Sequence, residues 1–511
     1  MDRKWWTLLA VCLATFMLLL DITIVNVALP DIALELDASF SDLQWVIDAY
    51  ALMLAALLLT AGSLADLLGR RRVFALGLAS FTAASVLCAL APSAFVLILA
   101  RGAQGIGGAA MFATSLALLA QEFHGRERGT AFGIWGATTG AAVAIGPLVG
   151  GALTDGLGWP SIFYLNVPIG LATIAITLRW LPESRDEEAG AIDWAGLVTF
   201  SAALFLLVFA LIRGNEEGWG SPVIVAMLAA SALLLALFIA VERRLPRPMF
   251  DLSLFRNRTF VGASIAAFAL SASMFAMFLY LTLYLQTILG YGPLETGLRF
   301  LPITALSFVA AAISGKLTAR LPARALLGTG LLLVGLGLVL MRGLQPGSDW
   351  TALLLGFLVA GIGIGTINPS IANAAIGVVT PARSGMASGI SSTFRQVGIA
   401  TGIAGLGAIF QSRVTSRLAE SLASTPGGGR GDALGHAVSA GGAPEVIANA
   451  PAGARPRLEV AIHAAFTAAL NDILLVGAVV AVVGGLFALA LVRRSDFVGF
   501  GGPEAGAAAA P

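Results

Sequence analysis

Two ionisable residues stand where hydrocarbon would tolerate neither. Asp21 lies in Leu20-Asp21-Ile22-Thr23-Ile24-Val25-Asn26-Val27-Ala28-Leu29-Pro30, deep in an apolar run. Arg101 lies in Leu99-Ala100-Arg101-Gly102-Ala103-Gln104-Gly105, inside another. A charge at that depth is costly, so each must face protein or a water-filled cavity, and each needs a partner. A carboxylate in such a place can take up and release a proton, or hold a cation. It can equally anchor a neighbouring helix by hydrogen bonds, with Arg101 as a fixed counter-charge. Asp48, near the outer end of its run, Asp472 in the last run, and Arg395 beside Gln396 are weaker candidates of the same kind.

Two further stretches are rich in glycine. Gly62-Ser63-Leu64-Ala65-Asp66-Leu67-Leu68-Gly69-Arg70-Arg71-Arg72 closes an apolar run with a turn at Gly69. From there Asp66 can reach an arginine such as Arg70, or a helix N-terminus. Simple enrichment of positive charge on one side of a membrane accounts equally well for Arg71 and Arg72. The stretch from Gly133 to Gly151 places Gly136 four residues before Gly140, and Gly146 four before Gly150. That spacing lets a neighbouring helix approach to backbone contact. Pro147 removes a backbone donor and predicts a bend. A tightly packed helix is sufficient reason for the glycines taken alone.

The elements that must position these residues are membrane helices. The chain has 511 residues, 58% hydrophobic and only 12% charged, with a mean hydropathy of +0.89. A soluble domain carries about a quarter charged residues. About fourteen apolar segments recur, from Trp5–Leu29 to Ala464–Val492, each near the ~20 residues a spanning helix needs. The first resembles a signal peptide at its start, but it runs on too far and is read as a retained helix. Arginines gather in the loops that share a side with the N-terminus, among them Arg70 to Arg72, Arg126, Arg128, Arg185, Arg243 and Arg244. By the positive-inside rule both termini are expected to be cytoplasmic. The stretch from about 414 to 460, rich in Ala, Gly, Pro and Ser, reads as a disordered extracytoplasmic loop. A net charge of +1 leaves no basic surplus for nucleic acid. Two cysteines, both in apolar runs, support neither a metal site nor a disulfide framework. There is no P-loop, metal-ligand cluster or nucleophile–base set, so no enzymatic activity and no cofactor is expected.

The halves of the chain echo each other. Gly62 and Gly315, Arg128 and Arg383, and Gly105 and Gly361 lie 253 to 256 residues apart in similar local sequence. A steady offset of this size predicts parallel repeats. The kinking Gly146-Pro147 has Gly402-Ile403 as its counterpart, so the second half lacks that proline. Three units follow: residues 1–183 as a six-helix bundle, 184–250 as an inserted central helix pair, and 251–511 as a second six-helix bundle.

Several of these stretches resemble the major facilitator superfamily. Gly62 to Arg72, with Gly62, Asp66, Gly69 and Arg70, resembles its motif A, which latches the two halves. Gly140, Gly146, Pro147, Gly150 and Gly151 resemble motif C, the antiporter signature of exporters. Arg101, with Gln104, resembles the buried arginine of motif B. The stretch around Asp21 and Asn26 resembles the first span of the fourteen-span drug:proton antiporter branch, the EmrB/QacA-like proteins. Asn166-Val167-Pro168-Ile169-Gly170 and Gly290-Tyr291-Gly292-Pro293 extend the likeness. The resemblance implies the all-α major facilitator fold, in a bacterial cell membrane, as a monomer. It implies that Asp21, Arg101, Asn26 and Gln104, with Asp48 and Arg395 as further candidates, handle protons or substrate. The thirteenth span carries no acid, so the dication preference of some relatives is not carried over. The expected function is proton-driven export of hydrophobic or cationic small molecules, powered by the proton gradient. The alternatives are a symporter or facilitator for a neutral solute, against which motif C argues, and a receptor without transport.

Overall fold

The computed structural model describes residues 2–38, 40–185, 193–244, 250–318, 320–380, 384–422, 431–439, 442–451 and 453–497. Among them, regular structure is helical throughout. The first half comprises α1 (Arg3–Glu35), α2 (Phe40–Leu68), α3 (Arg70–Ala89), α4 (Ala94–Glu122), α5 (Gly125–Leu157), and the pair α6 (Pro160–Tyr164) and α7 (Asn166–Trp180), which together make one crossing. An intervening pair follows, α8 (Trp194–Glu217) and α9 (Pro222–Glu242). The second half contains α10 (Arg258–Leu270), continued through α11 (Ala276–Leu283), then α12 (Pro293–Leu317), α13 (Ala323–Leu340), α14 (Leu354–Gly377), α15 (Ser384–Leu422), the short α16 (Gly431–Ser439) and α17 (Ala443–Ala448), and α18 (Arg455–Leu491). Thirteen helices among the described residues are long and apolar enough to cross a membrane. Helix α5 is 33 residues long, and its Leu148–Leu157 part is a shorter apolar stretch.

Local chemistry sets the helix ends. Gly69 separates α2 from α3 with φ at +112°, a left-handed value that favours glycine. The Ser93 hydroxyl accepts from the Val96 N–H at 3.5 Å at the start of α4. The Asn257 amide oxygen accepts from the Thr259 and Phe260 N–H groups at 2.9 and 3.1 Å and opens α10. The crossing that begins with α10 is not uniform. Ser271–Phe275 and Tyr284–Ile288 are π-helical turns within it, a feature no sequence period announces.

The two halves touch along two seams, α2 against α15 and α5 against α12, the second being the broader. Each seam is closest where glycines face one another. A Cβ on Gly62 would press on the Gly385 carbonyl, and one on Gly129 on the Gly315 carbonyl. These contacts lie toward the end where α1 begins and α18 finishes, the inner end below. The pairs cross over: Gly62 corresponds to Gly315 in the repeat, and Gly129 to Gly385. Helix α8 lies against α2 and α15 together. The Thr60 and Ser201 hydroxyls stand 2.8 Å apart, and the Asn215 amide donates to the Ala404 carbonyl at 3.0 Å.

The stretch from 414 to 460, expected to be disordered, is helical over most of its described part. Helix α15 runs on to Leu422, and α16 and α17 follow before α18 begins at Arg455. Val414, Leu418, Val438, Ala443, Leu458 and Ile462 are buried in the second half's core. The apolar spacing Val414/Leu418 and Leu458/Ile462 is helical, and the Ala- and Gly-rich surroundings conceal it. Residues 423–430, 440, 441 and 452, within the same expectation, lie outside the described residues.

Candidate functional site

Asp21 is fully enclosed, with 0% of its surface exposed, and Arg101 retains 1%. Their side chains form an ion pair between Oδ2 and Nη1. The other carboxylate oxygen, Oδ1, accepts from Gln104 Nε2 at 2.9 Å and from Asn166 Nδ2 at 2.8 Å. Gln104 also accepts from Arg101 Nη1 at 2.6 Å and donates to Ser85 Oγ at 2.8 Å. Asn166 reaches the same hydroxyl at 3.3 Å. Arg101 Nε donates to the Val46 carbonyl at 3.0 Å, and its guanidinium lies 4.4 Å from the centre of the Tyr50 ring. One carboxylate thus gathers α1, α2, α3, α4 and α7 around itself. The desolvation that burial imposes is offset only because nearly every lone pair has a donor.

Ser85, Tyr50 and Asn166 belong to this site, yet their types do not single them out. Neutral polar side chains are frequent in membrane helices, so the identity of Asn166 as a ligand of Asp21 depends on the fold. Its place in Asn166-Val167-Pro168 was the one available signal. The side chains of Asn26 and Pro147 lie outside the described residues.

The inner end of the α2–α15 seam is polar. Asp66 Oδ1 accepts from Arg70 Nε at 2.9 Å and Nη2 at 2.8 Å. It also accepts from the Gly385 N–H at 3.2 Å, while Oδ2 accepts from the Met386 N–H at 2.8 Å. These are the first amides of α15, so a carboxylate of one half sits on the helix N-terminus of the other, where its charge is favoured. Arg70 is thereby a brace for Asp66. The Arg71 N–H donates to Glu183 Oε1 at 3.1 Å, and a Cβ on Gly69 would stand 2.6 Å from that oxygen.

The glycines of α5 divide between the halves. Gly140 faces Ser307 Oγ of α12, and a Cβ on Gly136 would lie 3.6 Å from the Asn368 Cβ of α14. Gly146 and Gly150 turn instead to Thr23 and Ile24 of α1, next along the chain from Asp21. Gly151 meets nothing within 4 Å. The candidates are therefore not all brought together. Asp48 stays apart, half-buried on α2. Asp472 is 44% exposed and pairs with Arg413 at 3.2 Å. Arg395, 8% exposed, sits in the second half and donates through Nη2 to Asn368 Oδ1 at 2.8 Å. Among the described residues no cluster of three or more His, Cys, Asp or Glu is placed to hold a metal ion.

Two helical bundles that meet along paired glycine seams, with charges enclosed at mid-span, define a multi-pass membrane protein of the solute-carrier type. The Major Facilitator Superfamily profile matches residues 11–403, and the chain belongs to that family. It is 39% identical over 413 residues to the multidrug resistance protein Stp of Mycobacterium tuberculosis, covering 81% of this chain and 77% of that one. It is 33% identical over 504 residues to the tetracenomycin C resistance and export protein of Streptomyces glaucescens, covering 97% and 92%. Among solved structures, the proton:xylose symporter XylE superposes with a TM-score of 0.64 at 12% identity, covering 96% of each chain. That likeness speaks for the fold alone.

Proposed function

We propose that this chain is a proton-coupled exporter of hydrophobic small molecules, drugs among them, in a bacterial cell membrane with both termini cytoplasmic. The observation that carries the reading is Asp21, a carboxylate sealed on the first span and held by Arg101, Gln104 and Asn166. Its relatives' names, a multidrug resistance protein and an antibiotic export protein, support the export direction.

The chemistry follows from the partners. A proton on Asp21 removes the charge that holds Arg101, and a buried pair that loses one charge is strongly destabilised. Helices α4 and α7, which ligate the α1 carboxylate, and α2 and α3, which hold those ligands, then lose their common centre. Gly146 and Gly150 place α5 directly against the α1 turn that follows Asp21, so a shift of α1 is passed to the helix that forms the broader seam. At the inner end Asp66 holds the second seam until the halves part. Alternating access is then a rocking of one half on the other, with the proton setting which arrangement is favoured. The energy is the proton gradient, about 2.3 kcal/mol per charge per 100 mV before any pH difference.

Uncoupler-sensitive uptake of ethidium into everted vesicles tests the reading. Uptake is expected with the native chain and absent with Asp21→Asn. Native vesicles that take up no substrate of any charge in a broad drug screen would refute it.

A further inference from the structure

Arg395 is a deep charge with no ion-pair partner among the described residues. It lies on α15 and is more than nine-tenths buried. A guanidinium carries five N–H donors in a planar fork. One of its nitrogens is served by Asn368 Oδ1, and the Phe275 ring centre lies 6.0 Å from its central carbon. No carboxylate among the described residues forms an ion pair with it. Phe275 belongs to the π-helical turn Ser271–Phe275, a local departure from α-helix that often marks functional sites. The same turn carries the Ser271 hydroxyl, buried with no hydrogen-bond partner among the described residues. Asn368 in turn faces Gly136 of α5, so the group borders the contact between the halves.

The first half presents the opposite situation. Asp21 has a cation and two amide donors and no exposed surface, so it offers nothing to a cationic cargo in this arrangement. Among the described residues this leaves one positive fork beside an aromatic ring with no counter-charge in an ion pair, and none of its nitrogens is both sealed and unpartnered, so its free donors are open to a ligand. What repairs that deficit is a planar anion on an aromatic or otherwise apolar body.

We propose that Arg395, with Asn368 and Phe275, is a subsite for the acidic group of an organic anion: a carboxylate, phenolate or enolate carried by a hydrophobic cargo. The proposal rests on the exporter reading and adds acidic molecules to its hydrophobic cargo. Asn368 orients the guanidinium through Nη2, the remaining donors take the anion, and Phe275 covers the adjoining ring.

The test compares two xanthene dyes of similar shape and opposite charge, fluorescein and tetramethylrosamine, in energised everted vesicles. Uncoupler-sensitive accumulation of each is measured for the native chain, Arg395→Gln, Arg395→Lys and Asn368→Leu. Native vesicles are expected to accumulate fluorescein. Arg395→Gln should cut that by roughly tenfold or more, the worth of a charge-assisted pair, and leave the rosamine rate within about twofold. Arg395→Lys, which keeps the charge and loses the fork, should fall between, with a raised KM and a nearly native kcat. Asn368→Leu should also raise KM for fluorescein alone. Equal loss of both dyes in Arg395→Gln and Arg395→Lys assigns Arg395 a structural role and overturns the subsite. Rosamine accumulation with fluorescein indifferent to Arg395 overturns the subsite and leaves the exporter reading standing. Accumulation of neither dye by native vesicles overturns the subsite, and the ethidium assay then decides the exporter reading separately.

Discussion

Replacing Asp21 by asparagine changes one atom and rearranges three partners. Asp21 Oδ1 accepts two amide donors, at 2.9 and 2.8 Å, and Oδ2 accepts Arg101. Asparagine keeps one oxygen and substitutes an N–H₂ for the other. If the oxygen faces Arg101, the new donor confronts the donors of Gln104 and Asn166. Gln104 cannot turn over freely, because its own oxygen already accepts from Arg101 at 2.6 Å. If the oxygen faces the amides, Arg101 meets an N–H₂. Either way Arg101 loses its counter-charge. Breaking a buried pair by removing one charge costs about 3–5 kcal/mol, and the retained oxygen should return part of that. The double variant Asp21→Asn/Arg101→Gln should recover most of the loss, read as the melting temperature in detergent. The transport consequence is distinct from the stability one. Exchange of one proton for ethidium, itself a monocation, moves no net charge, so the pH difference is the drive: about 1.4 kcal/mol, or a roughly tenfold gradient, per pH unit. Asp21→Asn should lower ethidium accumulation in everted vesicles from that order to parity with the outside. Downhill exchange of preloaded dye should survive. Uphill, uncoupler-sensitive accumulation by folded Asp21→Asn protein would refute the assignment of proton coupling to this carboxylate.

The seams supply further tests. Gly129→Val and Gly62→Val each drive side-chain atoms into the opposing Gly315 or Gly385 backbone; both should abolish transport, and spin-label distances should show the inner ends of α5 and α12, or of α2 and α15, moved apart. Asp66→Asn keeps one acceptor but loses the charge that faces the α15 N-terminus; transport should fall by roughly tenfold, with faster cysteine labelling at the inner end of the seam. Gly69→Ala places a Cβ at a φ of +112° and against Glu183; it should cost about 1–2 kcal/mol, seen as a lower melting temperature with KM unchanged.

What the sequence discloses here follows from how rare each signal is. A lone Asp or Arg inside twenty apolar residues is conspicuous, so Asp21 and Arg101 are legible, as is the need of each for a partner. Their mutual pairing is not, because nothing local links positions 80 residues apart. Ser85 and Asn166 are hidden by being ordinary: small neutral polar residues occur throughout membrane helices, and only the packing of α7 on α1, and of α3 on α4 and α7, brings Asn166 to Asp21 and Ser85 to Gln104 and Asn166. A many-span helical membrane protein was readable from hydropathy, although about fourteen spans were expected and thirteen helices among the described residues are long and apolar enough to cross. The π turns at Ser271–Phe275 and Tyr284–Ile288 were not, since tertiary contacts decide where one extra residue is accommodated. The helices after Phe410 were masked by composition, their apolar stripe diluted by Ala and Gly. Asp472 illustrates the opposite error, a charge in an apolar run that proves to be a solvent-facing pair with Arg413.

The inserted pair has a mechanical consequence. Helix α8 is tied to one half through Thr60–Ser201 and to the other through Asn215–Ala404. A stiff rod fastened to two bodies cannot keep both fastenings when those bodies swivel. Each turnover must therefore shear one of these bonds or flex the rod between them. The insertion is a strut across one flank of the machine, and its bending stiffness enters the barrier for every stroke.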